Sequence, residues 1–156
     1  MANPAAGVFK QVAYKKEVTF GLVPVAATAQ ALRRQPEVAR AFSLIGSVTK
    51  AVAGIGAWEP GQSTLYDATS EAERADLTRR GVCADVSGVL LDAHGDPVPA
   101  DLTERMIGIT AEQMRAVPEV IGIVYGTAKV HAVLAAVRGG LVDSLVTHST
   151  MATALI

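Results

Sequence analysis

Two residues in this chain are of a type, and in a setting, to do chemistry on a small polar ligand: Asp85 and Lys129. Asp85 sits in the run Val82, Cys83, Ala84, Asp85, Val86, Ser87, Gly88. Side chains on an extended strand alternate between two sides. Val82, Ala84 and Val86 therefore make an apolar face, with Cys83, Asp85 and Ser87 on the other. On the plain reading Asp85 faces water from a half-exposed strand. On the functional reading it is a carboxylate lining a cleft, accepting hydrogen bonds from sugar hydroxyls. Lys129 follows the turn Gly126-Thr127. With Thr127 as N-cap, Lys129 falls in the first helical turn, where a cation opposes the positive end of the helix dipole at roughly 0.3–1 kcal/mol. An anionic ligand there reverses the sign: backbone N–H groups, Gly126 and the Lys129 ammonium converge on one phosphate. The plain alternative is a solvated lysine whose small cost is tolerated.

Other candidates carry weaker signals. The loop after Ile55, at Gly56, is a second strand end of the kind where ligands bind in doubly wound sheets. His148 follows a strand at its carboxyl end, whereas His131 reads as a helix-surface residue. Arg105 precedes a short strand, and is either an anion contact or an ordinary ion pair. Asp92, His94 and Asp96 alternate as metal ligands do, but Gly95 and Pro97 make the segment a turn, and no metal site is expected. Cys83 is the single cysteine and reads as a small core filler. No phosphate-binding Gly-x-x-x-x-Gly-Lys-Ser/Thr loop, complete dinucleotide fingerprint or Gly-x-Ser-x-Gly elbow occurs. The chain contains no catalytic constellation, and no cofactor is called for.

Positioning these residues falls to a single domain. The chain has 156 residues, of which 50% are apolar, 19% charged and 4% aromatic. Its core must therefore be built from Val, Leu, Ile and Ala, as suits helices packed on a buried parallel sheet. A formal net charge of −1 supplies no general field for DNA. The first twenty residues lack the apolar run of a signal peptide, and no stretch reaches the ~18 apolar residues needed to span a bilayer. A soluble cytoplasmic protein with no membrane contact is the expectation.

Residues 1–23 are hard to read: 1–7 look like a loose end, and Val18, Phe20 and Leu22 alternate as a strand would. Helices are expected over 27–34 and from Pro36, the latter with Val38, Ala41, Phe42 and Ile45 on one face. A strand over 50–55 ends at Gly54 and Gly56, and 58–67 is loop. Ser70 and Glu73 form a capping box that opens a helix to Arg80, stopped by Gly81. Strand is expected over 82–91, with Gly88 marking a bulge or close backbone approach. A short strand over 106–109 precedes a helix capped by Thr110 and Gln113. The last third then runs strand (120–125), helix (128–138), strand (141–146) and a helical tail from Ser149. Short connections of this kind demand parallel strands. The expected class is α/β: a Rossmann-like, mostly parallel sheet with helices on both faces.

Four segments resemble the end of the sugar-binding domain shared by SorC/DeoR-type transcriptional regulators. They are Gly81 to Gly88 with Asp92; Arg105 to Ile109; Pro118 to Gly126 with Lys129; and Arg138 to Leu141 with Leu145, Val146 and Thr147. Gly54, Ile55 and Gly56 sit where that family has a Gly-Ile-Gly strand end. The resemblance covers residues 24–156 as the C-terminal portion of such a domain. It implies a fold similar to that of sugar-phosphate isomerases and CoA transferases, used to sense a phosphorylated sugar rather than to turn it over. By position, Asp85 meets the sugar hydroxyls and Lys129 the phosphate or carbonyl end; Gly126, Thr127, Gly56, Arg105 and His148 complete the candidate binding residues. The resemblance also implies self-association as a dimer or tetramer, and DNA contact only through a helix-turn-helix absent from this chain. The sequence departs from the family where Val89 and Leu90 replace an Arg-Phe pair and His148 replaces an aspartate. Two alternatives remain: an isomerase- or deaminase-like enzyme on the same fold, or a purely oligomerising fragment.

Overall fold

The computed structural model describes residues 21–156. Val18, Phe20 and the 1–7 segment lie outside the described residues. Leu22, the third member of that alternation, falls in strand β1 (Gly21–Leu22). Helices α1 (Ala26–Arg33) and α2 (Pro36–Ser43) follow, and Pro36 occupies the first turn of α2, where its missing N–H costs no hydrogen bond. Val38, Ala41 and Phe42 are half-buried and Ile45 is buried, so the anticipated face is the inward one.

Strand β2 (Ala51–Ala57) runs through Gly54 and Gly56 rather than stopping between them. The segment expected to be loop contains a helix, α3 (Thr64–Ala68), opened by the Ser63 hydroxyl accepting the N–H of Tyr66. Helix α4 (Glu71–Arg79) starts at the anticipated capping box. Residues 82–91 are not one strand but a hairpin of β3 (Ala84–Val86) and β4 (Val89–Leu91). The reason is local: Ser87 and Gly88 both take positive φ, 48° and 90°, as a two-residue hairpin turn requires. Gly88 is thus a turn residue, not a bulge.

After α5 (Asp101–Glu104) comes β5 (Met106–Ile107), which pairs with β1 as a separate two-stranded sheet. Helix α6 (Ala111–Arg115) has the Thr110–Gln113 capping box. Strand β6 (Val120–Ile123), helix α7 (Val130–Arg138) and strand β7 (Ser144–Val146) form the expected βαβ unit, and α8 (Ser149–Ala154) closes the chain.

The main sheet has the order β4-β3-β2-β6-β7. The pairs β2–β6 and β6–β7 are parallel, while β3 is antiparallel to both β2 and β4. Four of the five strands therefore point the same way, with β3 reversed between β2 and β4. Side-chain alternation divides two cores between the faces. Ala84, Val86, Val89 and Leu91 join Ala132, Val133, Ala135 and Ala136 of α7. On the other face, Leu90 packs with Trp58, Leu65 of α3, Leu77 of α4 and Leu102 of α5. Beyond that second core the same face is open on β2, β6 and β7, where Val52, Ile123 and Val146 are 46%, 38% and 49% exposed.

The Asp92–Pro97 segment is a turn, its Asp92 carboxylate accepting the N–H groups of His94 (2.9 Å) and Asp96 (3.0 Å). It packs against the end of α7, where a Cβ on Gly95 would come within 2.6 Å of the Ala135 carbonyl oxygen and collide with Gly139 N. Gly95 also has a φ of +89°. Gly95→Ala is accordingly expected to destabilise the domain by about 2–4 kcal/mol through strain and backbone collision, measured by urea unfolding; an unchanged midpoint would show that this contact is not tight.

Candidate functional site

The geometry of the antiparallel β2–β3 pair places Asp85 directly opposite Gly56. A Cβ at position 56 would collide with Asp85 Oδ1 and lie 2.9 Å from Ser63 Cβ. Glycine is required there by close approach, not by φ. The Asp85 carboxylate occupies the space over Gly56 and accepts a 2.5 Å hydrogen bond from the Ser63 hydroxyl. Ser63 thus serves two groups, opening α3 and holding Asp85.

Asp85 is only 5% exposed, so the half-exposed strand of the plain reading does not occur. Burial pushes its carboxyl above the usual carboxylate range, against the opposing pull of Ser63, the Lys129 charge and the Gly88 N–H. This buried carboxylate has spare acceptor capacity and a cation close by, as needed for a group that receives hydroxyl donors.

Lys129 approaches from the other side of β2. Its ammonium donates to the Ile55 carbonyl oxygen at 3.2 Å, one residue before Gly56. The helix start differs from the expected one. Thr127 is not an N-cap: residues Thr127–Lys129 form a 3-10 turn capped by Gly126, and Lys129 is itself the N-cap of α7. Gly126, with a φ of 92°, is what permits the sharp exit from β6. Thr127 is exposed.

His148 lies next to this turn. Its ring nitrogens are 3.0 Å from the N–H of Gly126 and 3.2 Å from the N–H of Met151. The β2–β3 register, the bond from Lys129 to Ile55 and the contact of Gly126 with His148 thus tie Asp85, Gly56, Lys129, Gly126 and His148 to the carboxyl ends of β2, β6 and β7. Arg105 is not brought to that edge. Its guanidinium pairs with the Glu73 carboxylate at the start of α4, where the hydrogen bond from Ser70 and the Arg105 charge hold Glu73 below the usual range. His131 is exposed on α7. Cys83 packs half-buried against the first core, and its thiol is pushed up by burial and by Asp92. Among the described residues no cluster of His, Cys, Asp or Glu could hold a metal ion.

Ser63 is the site residue that sequence reasoning missed. Its signal was present in Ser63-Thr64-Leu65, a hydroxyl before an apolar helical residue, but Pro60 and Gly61 marked the whole segment as loop. Trp58 was also missed. It is buried beneath Tyr66, ring centroids 5.1 Å apart and edge-on, and Arg74 covers the far ring at 5.0 Å.

Comparison with known proteins gives the family and the fold. The family described as "Putative sugar-binding domain" matches residues 8–156. The transcriptional regulator LsrR of Klebsiella pneumoniae subsp. pneumoniae is 31% identical over 138 residues, covering 86% of this chain but 43% of the relative. The full-length sorbitol operon regulator SorC from Klebsiella pneumoniae superposes with a TM-score of 0.78 at 26% identity, over 86% of this chain and 44% of that one. A domain of a possible sugar-binding transcriptional regulator from Arthrobacter aurescens TC1 gives 0.76 at 26% identity, over 86% and 52%. The chain spans about half the length of these relatives.

The raised Asp85 carboxyl has a consequence for stability. Between the ordinary carboxyl value of about 3.9 and the higher folded value, the folded state binds more protons than the unfolded chain. Stability therefore falls as pH rises through that window. Asp85→Asn, which cannot ionise and still accepts from Ser63, is expected to melt higher than the parent at neutral pH. The difference should vanish by about pH 4. Thermal melts across that range check it, and an Asn variant that melts lower at neutral pH would contradict it.

Proposed function

The chain belongs to the sugar-binding domain family of SorC/DeoR-type transcriptional regulators, and from that premise we propose that it binds a phosphorylated sugar as a regulatory effector. The observation that carries this reading is the buried Asp85 carboxylate, seated over Gly56 and facing Lys129 across the end of β2. In the proposed complex Asp85 and Ser63 receive the sugar hydroxyls, and Lys129 attracts the anionic end. Gly126, Thr127 and His148 lie along the same edge. Arg105, committed to Glu73, acts on the fold rather than the ligand.

Binding without turnover is the favoured reading. Proton transfer at a sugar carbon needs an acid and a base on opposite sides of the substrate; here the two candidates, Asp85 and His148, are bound into a hydroxyl–carboxylate pair and a backbone contact. In this reading the effector domain contacts DNA only through a helix-turn-helix elsewhere in the regulator, and works in the cytoplasm. No described helix is long and apolar enough to cross a membrane.

Self-association, as a dimer or tetramer, is the second part of the proposal. The open apolar face around Val52, Ile123 and Val146 supports it. Sedimentation should give a species larger than one chain, and Val146→Lys should shift it toward monomer; a parent chain sedimenting as a monomer at high concentration would refute self-association.

The effector reading is tested by thermal melting against a panel of sugar phosphates. At least one should raise the Tm by several degrees, corresponding to about 2–3 kcal/mol at a hundredfold excess over Kd. Lys129→Ala and Asp85→Asn should each abolish the shift. No response to any member of the panel would reject the sensing role for this chain.

A further inference from the structure

Beside the small β1–β5 sheet lies a cavity of about 260 Å³. Leu90, Val98, Met106, Gly108 and Ile109 line it, together with the Ser87-Gly88 turn of the β3–β4 hairpin. Its lining is mostly apolar, and neither Gly21 nor Leu22 of β1 contributes to it. The chain that precedes Gly21 is directed toward it. In the antiparallel β1–β5 ladder Leu22 stands opposite Met106 and Gly21 opposite Ile107. One step upstream, Phe20 comes opposite Gly108, a lining residue of the cavity.

Alternation along the strands sets the side on which each residue falls. Leu22 and Met106 both pack into the second core, so they share the inward face of the ladder. Two residues away on each strand, Phe20 and Gly108 fall on that same face, and Thr19 falls on the other. Gly108 has no side chain with which to meet a cross-strand partner. An aromatic ring laid over a glycine covers backbone that would otherwise lie bare.

We propose that the segment preceding β1 docks on this cavity, with the Phe20 side chain seated over Gly108 and against Met106. Tethering favours this occupant over a separate molecule. Phe20 is joined directly to Gly21, so its effective concentration at the cavity far exceeds that of a free ligand or a second chain. One wall of the cavity is the hairpin turn whose Gly88 N–H donates to the Asp85 carboxylate. Docking of Phe20 therefore braces the hairpin that carries Asp85. It also makes the end of the preceding segment part of the domain, whether or not the domain senses a sugar phosphate.

The experiment is NMR of the whole chain, with thermal melts of two variants. The Phe20 ring protons should show nuclear Overhauser contacts to the Gly108 α-protons and the Met106 methyl group. Phe20→Ala should lower the Tm by at least about 5 °C. Thr19→Ala, on the opposite side of the strand, should change it by no more than about 2 °C. Absence of the Phe20–Gly108 contact in the parent chain would overturn the proposal. So would a Phe20→Ala variant that melts within about 2 °C of the parent. Contacts found only between differently labelled chains in a mixed sample would place a second copy's segment in the cavity, and would overturn it as well. Should Phe20→Ala fail to fold, the contacts in the parent chain decide.

Discussion

The placement of a carboxylate in an almost fully buried position governs the arrangement of this domain. Asp85 can be buried because Gly56 has no side chain, because Ser63 donates to it, and because the Lys129 charge lies near enough to oppose its desolvation. Each support comes from a different element. Gly56 is on β2, Ser63 opens α3, Gly88 turns the β3–β4 hairpin, and Lys129 stands at the start of α7. A buried carboxylate without such partners would be strongly unfavourable. With them, it remains a destabilised acceptor that a hydroxyl-bearing ligand can satisfy.

That constraint accounts for features that otherwise look unrelated. The hairpin reverses β3 within a sheet whose other four strands run one way. The reversal sets Asp85 against the last turn of β2, next to the carboxyl ends of β2, β6 and β7 where open α/β sheets bind ligands. The two cores keep the roles of the faces apart. Small residues of α7 let it pack closely on one face, while α3, α4 and α5 cover only the β3–β4 half of the other. The site lies where that second cover ends and the open face of β2, β6 and β7 begins.

In the proposed role, occupancy of the site would have to change something outside it. Here the elements that hold the candidate ligand residues are short: α3 has five residues, β3 three and the turn before α7 three. Short elements take most of their stability from tertiary contacts rather than from their own hydrogen bonds. A ligand that ties Asp85, Lys129 and His148 together would therefore bear on three short elements at once. The open apolar face adjoins them, so ligand binding and assembly would share the same strands.

Much of this was set by the sequence alone. Both capping boxes, the proline start of α2, the glycine stop of α7 and the Asp92 turn are local: the groups involved are at most four residues apart, and residue types suffice to place them. Asp85 and Lys129 are singled out by the sequence through their settings and the family resemblance, and the fold ties both to the end of β2. What sequence periodicity could not decide was which contacts are made across long separations. Alternation in residues 82–91 fits a strand and a hairpin equally, and only positive φ at Ser87 and Gly88 distinguishes them. The bond from Ser63 to Asp85 spans 22 residues and that from the Gly126 N–H to the His148 ring also 22, while Arg105 is drawn away to Glu73 over 32. Residue types state what each group can donate or accept. Only the packed sheet decides which donor meets which acceptor.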